Sequence, residues 1–213
     1  VGAFAQIKSA KVLAGGQADA VMVRLVGLQN HPARMPGAPG AALTAMVCAL
    51  TVGKKKYADV QELAVESQKK AEELKARFVD VMDRDTEAFN AVSAVFAMPK
   101  DTDEQKAARK AAMQEALKGC TKTPFEMMQL ACETLELTRS LVGRLNASAA
   151  SDLGCSALSL RAAIQGAWLN VLINISGIAD EAFAAEYRKN GEALLAKALP
   201  LADEIYEEIL KTM

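Results

Sequence analysis

The sequence is nearly empty of histidine, the side chain on which most metal centres and nucleophilic triads depend. Its one histidine, His31, sits beside a proline- and glycine-rich stretch, where a solitary imidazole is more often a surface residue than a catalyst. The four cysteines, Cys48, Cys120, Cys132 and Cys155, show no CxxC spacing, which fits neither a zinc site nor a disulfide framework in a chain of 213 residues. They read as reduced thiols, and no metal is expected. Aromatic residues make up 5% of the chain and β-branched runs of period two are missing, so a sheet has little to build on. Charge of one sign is lacking too: the net charge of −1 offers no field to attract nucleic acid. The first residues, VGAFAQIKSAKVLA, lack the basic region and apolar core of an export signal, so the expected compartment is the cytoplasm.

What is present is helical. Ala, Leu, Glu, Lys and Met recur at spacings of three and four, and the 51% apolar fraction supports a substantial core, so we expect an all-α, multihelical bundle in one domain, 1–213. Its centre is the stretch SDLGCSALSLRAAIQGAWLNVLINISGI, 151–178, whose one charge between Asp152 and Asp180 is Arg161. A run of about 20 apolar residues can span a bilayer. Here Arg161, Gln165, Asn170 and Asn174 interrupt it, so it reads as a buried central helix of about 152–178 and not as a membrane span. Gly154, Ala157, Ala163, Gly166 and Ala167 would let neighbouring helices approach. Asn170 and Asn174, four apart, share a face and form either a buried structural network or part of a site.

The other elements are set by their stop and start residues. Val1 to Ala14 is a helix stopped by Gly15 and Gly16, and 15–39 is an atypical segment in which HPARMPGAPG reads as loop. A second buried helix runs from about Gly40 to Val52 and ends at Gly53. Lys54, Lys55 and Lys56 then either offset the negative end of that helix or form, with Tyr57, an anion site. A long helix from about Ala58 to Met98 stops at Pro99. Thr102 with Gln105 makes a capping box for a helix to about Lys118, closed by Gly119; Thr123, Pro124 and Glu126 open another, to about Leu145. Asp152 is placed to cap the central helix. Asp180 opens the last pattern, which Asn190, Gly191 and Pro200 bend or divide.

One residue breaks the pattern of the long helix. Its apolar seam passes through Val60, Leu63, Leu74, Phe78, Met82, Phe89, Val92 and Phe96, and seven residues after Phe78 it lands on Asp85. Asp83 points elsewhere, to solvent. A carboxylate on an apolar face needs a cation or donors, or its pKa rises. Asp85 is therefore either a functional acid or a structural partner of Arg161 or another buried donor.

Three stretches together carry a resemblance: TAMVCALTVGKKKYADV at 44–60, MDRDTEAFNAVSAVFAMPKDTDEQKAARKAAMQEAL at 82–117 and SDLGCSALSLRAAIQGAWLNVLINI at 151–175. In their order and spacing they resemble the cyclodeaminase domain of formimidoyltransferase-cyclodeaminase, a family that also contains stand-alone methenyltetrahydrofolate cyclohydrolases. The resemblance covers about Gly40 to the C-terminus. It implies an all-helical fold, a homodimer, a tetrahydrofolate derivative as substrate and no tightly bound cofactor. It assigns the active-site role to the second acid of D-x-D-x-x-A-F, here Asp85. It also places the loop from Gly53 to Tyr57, with Lys54, Lys55 and Lys56, near the anionic glutamyl tail, and Asp152, Asn170 and Asn174 near the pocket.

One departure stands out: the family's P-x-P-G-G-G-S loop after the first helix is missing. PGAPGAA at 36–42, with Gly37 and Gly40, is the candidate substitute for backbone contact with the ligand. The implied activity is formimidoyltetrahydrofolate cyclodeaminase, in histidine breakdown or in one-carbon interconversion. Methenyltetrahydrofolate cyclohydrolase is the alternative, and a non-catalytic helical dimer with a degraded folate site is the reading from another class.

Overall fold

A computed structural model describes residues 36–213, and among these it contains helices and turns and no strand. The expected helix at 1–14, the segment 15–35 and His31 lie outside the described residues. Five long helices follow: α1 (Gly37–Ala49), α2 (Gln61–Phe96), α3 (Asp103–Leu141), α4 (Ala150–Ile175) and α5 (Glu181–Leu210). Short 3₁₀ turns at Lys55–Val60 and Ala147–Ala149 lead into α2 and α4. The all-α architecture is as the spacing required.

α4 packs against α1, α3 and α5, and Leu153, Ala157, Leu160, Ile164, Val171 and Ile175 turn inward at three- and four-residue steps. It is not buried on every side, however. Leu158 and Leu169 are 46% and 56% exposed, and Arg161 reaches the surface to pair with Asp203. Among the described residues no helix is long and apolar enough to cross a membrane.

α1 begins at Gly37, so the tripeptide before Gly40 is helix and not loop. Pro36 stands at the cap and Pro39 in the first turn, where a missing N–H loses no bond. Gly37 lies against the Phe78 ring, and a Cβ on Gly40 would stand 2.6 Å from Cγ of Leu160. These glycines therefore let α1 approach α2 and α4; they form core packing in place of the expected ligand cradle. At the same junction Thr44 Oγ1 shares hydrogen bonds with Thr138 (2.8 Å) and Ser156 (2.9 Å), and Ser156 donates to Gly40 O at 2.7 Å, so the buried hydroxyls are satisfied.

The largest correction concerns α3, one continuous helix where two were expected. The capping box at its start is present: Gln105 N donates to Thr102 Oγ1 at 3.3 Å, and Thr102 N to Gln105 Oε1 at 3.2 Å. Gly119 does not stop it, and Pro124 lies inside it. A proline there removes the N–H that would have met the carbonyl four residues back, Cys120 O. Asn174 on α4 supplies the replacement: its Nδ2 donates to Cys120 O at 2.6 Å. A tertiary contact thus repairs the bond that the sequence breaks. α5 likewise continues through Asn190, Gly191 and Pro200, with Gly191 making room for the Trp168 ring. Asp180 caps α5 through Phe183 N at 3.0 Å, as expected. Asp152 makes no cap bond and sits in the first turn of α4; Asn146 instead receives Ser148 N at 3.1 Å.

α2 and α3 form a long antiparallel pair, joined at 97–102 and tied by Arg77 to Glu133 (3.2 Å) and Arg84 to Glu126 (2.8 Å). Leu74, Phe78 and Val92 of the expected seam are buried. At the end of α2 the seam shifts by one residue: Val95 turns inward and Phe96 is 43% exposed.

Candidate functional site

Seven residues after Phe78 along α2, Asp85 faces α3, half-buried, and Thr123 donates its hydroxyl to Asp85 Oδ1 at 2.6 Å. Burial pushes the carboxyl above the ordinary carboxylate range, and the Thr123 hydroxyl, which favours the charged form, pulls it part of the way back. The neighbouring Arg84 is engaged elsewhere, with Asp80 and Glu126, both at 2.8 Å. Arg161 is held by Asp203. Of the structural partners expected for Asp85, Arg161 is engaged elsewhere, whereas a buried donor, Thr123, does meet it. Asp83 is exposed, as its position two residues away requires.

Cys120 and Thr123, one turn apart on α3, complete the surroundings of Asp85. The Cys120 thiol is pushed up to about 12, by burial first and then by the charge of Asp85. From the far side Asn174 holds the Cys120 carbonyl, so α3 carries Thr123 and Cys120 between Asp85 of α2 and Asn174 of α4. Sequence reasoning missed Thr123 and Cys120, since it took Thr123 for a helix cap. The signal was Pro124: inside a helix, it marks a freed carbonyl that another element must satisfy. Asn174 is thus a structural strap, and Asn170 donates within α4 to Gly166 O at 3.0 Å.

The remaining expected residues lie elsewhere. Lys54, Lys55 and Lys56 are exposed on the loop after α1, where Tyr57 Oη receives Ala147 N at 3.0 Å. That contact puts the loop beside the start of α4 and Asp152. Gln61, which holds this loop through Gly53 N at 2.7 Å, and Asp85 are both on α2, so about 36 Å of helix separates them at 1.5 Å per residue. In one chain the structure does not bring the lysines or Asp152 to Asp85. Among the described residues no group of three His, Cys, Asp or Glu could hold a metal ion.

Comparison with known proteins gives the chain its family. The family model described as formiminotransferase-cyclodeaminase matches residues 33–193. The chain belongs to this family. A methenyltetrahydrofolate cyclohydrolase from Methylorubrum extorquens is 42% identical over 177 residues, which are 83% of this chain and 85% of that protein. The formimidoyltransferase-cyclodeaminase of Sus scrofa is 31% identical over 161 residues, 76% of this chain and 30% of that longer protein. Among solved structures, the formiminotetrahydrofolate cyclodeaminase of Thermotoga maritima superposes with a TM-score of 0.67 at 28% identity, covering 83% of this chain and 82% of that one. The formiminotransferase-cyclodeaminase family thus includes relatives named for two reactions, and this chain is similar to both kinds along most of its described length.

Proposed function

We propose that this chain is an enzyme of folate one-carbon metabolism that works on the carbon bridging N5 and N10, with methenyltetrahydrofolate cyclohydrolase as its reaction. The observation that carries this reading is Asp85: a half-buried carboxylate held by one hydroxyl and, among the described residues, paired with no cation. The 42% identity to a cyclohydrolase, over most of both chains, favours hydrolysis over the cyclodeaminase expectation.

The substrate bridge is a cationic amidinium, and a carboxylate in a poorly solvated site attracts it more strongly than one in water. Water adds to the methenyl carbon and loses one proton to Asp85. The C–N5 bond of the adduct then breaks, its hydroxyl becomes the formyl carbonyl, and N5 takes a proton. The balance is methenyl cation plus water giving 10-formyltetrahydrofolate and one proton. Thr123 holds the Asp85 oxygen that it touches, leaving the other to face the ligand. Cyclodeamination asks for the same group: N10 attacks the formimidoyl carbon, ammonia departs, and a carboxylate moves the proton from N10 to the leaving nitrogen. The Thermotoga maritima structure supports this second reading.

The family resemblance also implies a homodimer. The outward face of α4, with Leu158 and Leu169, is the surface that a second copy would cover. Leu158→Glu combined with Leu169→Glu should then sediment as a monomer, and an unchanged mass would remove this face from the interface.

The deciding assay follows absorbance of the methenyl chromophore. Accelerated loss from methenyltetrahydrofolate establishes the cyclohydrolase. Rising signal with ammonia release from 5-formimidoyltetrahydrofolate establishes the cyclodeaminase. Absence of both leaves the non-catalytic dimer.

A further inference from the structure

Asp85 depends on a hydroxyl that a helix ordinarily keeps for itself. A threonine or serine inside a helix tends to donate to a carbonyl three or four residues before it. The chain follows this habit: Thr86 of α2 and Thr121, Thr134 and Thr138 of α3 each donate to the carbonyl four residues back, at 2.7 to 3.2 Å. The three-residue version is present as well, from Ser140 to Leu137 O at 2.6 Å and from Thr212 to Ile209 O at 2.7 Å. Thr123 departs from both and donates across to α2, to Asp85 Oδ1. Yet it stands three residues after Cys120, whose carbonyl Pro124 leaves without its helical N–H. On this stretch of α3 that carbonyl is the acceptor in need of a donor, and the Thr123 hydroxyl has it within the three-residue reach.

Asn174 decides the competition. It is 6% exposed, and from α4 its Nδ2 donates to Cys120 O at 2.6 Å, so the carbonyl is already paired. We propose that Asn174 is a positioning residue for the site: by occupying the Cys120 carbonyl it reserves the Thr123 hydroxyl for Asp85. The proposal rests on the reading of Asp85 as the reacting acid. No hydrogen bond joins Asn174 to Asp85 or to Thr123, so its effect passes through the carbonyl. The other groups around Asp85 leave this hydroxyl to set its protonation. Arg84 of α2 is committed to Asp80 and to Glu126 of α3, and the Cys120 thiol of α3, pushed up to about 12, stays protonated. α1, the other long helix packed against α2, carries no charged side chain, and Cys48 is its one titratable group. Losing Asn174 therefore has two separable effects. The Cys120 carbonyl loses its partner, which costs stability, and the Thr123 hydroxyl turns to it, which takes from Asp85 the donor that favours its charged form.

The test follows Asp85 itself, by carbon-13 NMR titration of its carboxyl in the full chain, assigned by the signal that Asp85→Asn removes, beside the pH–rate profile of the chromophore assay. Asn174→Leu should move the Asp85 titration to higher pH, as far as Thr123→Val moves it, and the double variant should move it no further. Asn174→Ala, which removes the donor without added bulk, is read in the same way should the leucine variant fail to fold. Pro124→Ala returns an N–H to the Cys120 carbonyl, so combined with Asn174→Leu it should bring the titration back to that of the parent. A titration that Asn174→Leu and Asn174→Ala leave in place, or shifts that add in the double variant, would overturn the proposal and leave Asn174 a structural strap alone. The titration needs no substrate, which separates this inference from the reading of the reaction. A carboxyl signal that moves while the acid limb of the rate stays fixed supports the positioning and overturns Asp85 as the reacting acid.

Discussion

The two ends of the bundle use their polar groups differently. At the Gly53–Tyr57 end the uncharged polar side chains of Gln61, Asn146 and Tyr57 are committed to holding backbone. Gln61 receives Gly53 N and donates to Tyr57 O, both at 2.7 Å; Asn146 donates to Leu50 O at 3.1 Å; and Tyr57 Oη receives Ala147 N. The three lysines there extend into solvent. At the other end a half-buried acid has one hydroxyl for company, and four cations line a pocket beyond it. Bonding capacity left over after the fold is satisfied is what a ligand can use. On that criterion we propose the Asp85 end as the site, with the backbone of the loop end held by its own neighbours.

The comparison breaks most plainly if Asp85 can be neutralised without cost. Asp85→Asn should lower kcat by about 10²- to 10⁴-fold in the chromophore assay, the range for a lost acid–base group. The same variant sharpens the contrast through stability. Burial raises the Asp85 pKa above 3.8, so the folded chain keeps its proton to higher pH than the unfolded chain, and stability is lost as pH rises through that window. Asp85→Asn should therefore melt at or above the parent temperature at neutral pH, with the gap closing below pH 3.8. A lower melting temperature at pH 7 would mean that the charge is structurally satisfied.

Thr123→Val removes the donor that favours the charged carboxylate. We expect kcat to fall about tenfold and the acid limb of the pH–rate profile to move to higher pH, with Thr123→Ser restoring both. A loss without movement of the limb would assign Thr123 to packing alone. Asn174→Leu should cost about 1–3 kcal/mol in chemical denaturation, because the Cys120 carbonyl opposite Pro124 is left buried without a donor. At the other end, changing Lys54, Lys55 and Lys56 to Ala should alter stability by no more than about 0.5 kcal/mol, as for exposed surface positions generally. A large loss there would reverse the ranking of the two ends.

Much of the frame was legible beforehand, for local reasons. Thr102 with Gln105, Asp180 and Pro99 act within a turn of their own positions, and the structure finds the two caps working and α2 ending just before the proline. Asp85 was legible because a period of 3.6 places a carboxylate against the core whatever the partner helix is. Where the local rules failed, a distant residue had changed the outcome. Gly119 and Pro124 read as a break, but Asn174, 50 residues later, donates to the carbonyl that Pro124 leaves free. Gly37 and Gly40 read as ligand-facing backbone, but the Phe78 ring and Leu160 fill the space that they leave. The grouping of Lys54–Lys56 and Asp152 with Asp85 came from resemblance, and the length of α2 sets them at opposite ends of one chain.

The sequence alone determined that this chain is helical, which faces of its helices are apolar, and that one acid falls on the wrong side of a seam. Propensity, capping and periodicity all act over a few residues. Only the tertiary structure decided that α3 is one helix, that Thr123 and not Arg161 meets Asp85, and that Lys100, Lys106, Arg109 and Lys110 line a pocket at the free end of the α2–α3 pair. Each of those depends on which helices pack together, because hydrogen bonding and charge pairing between distant residues act only at contact distance.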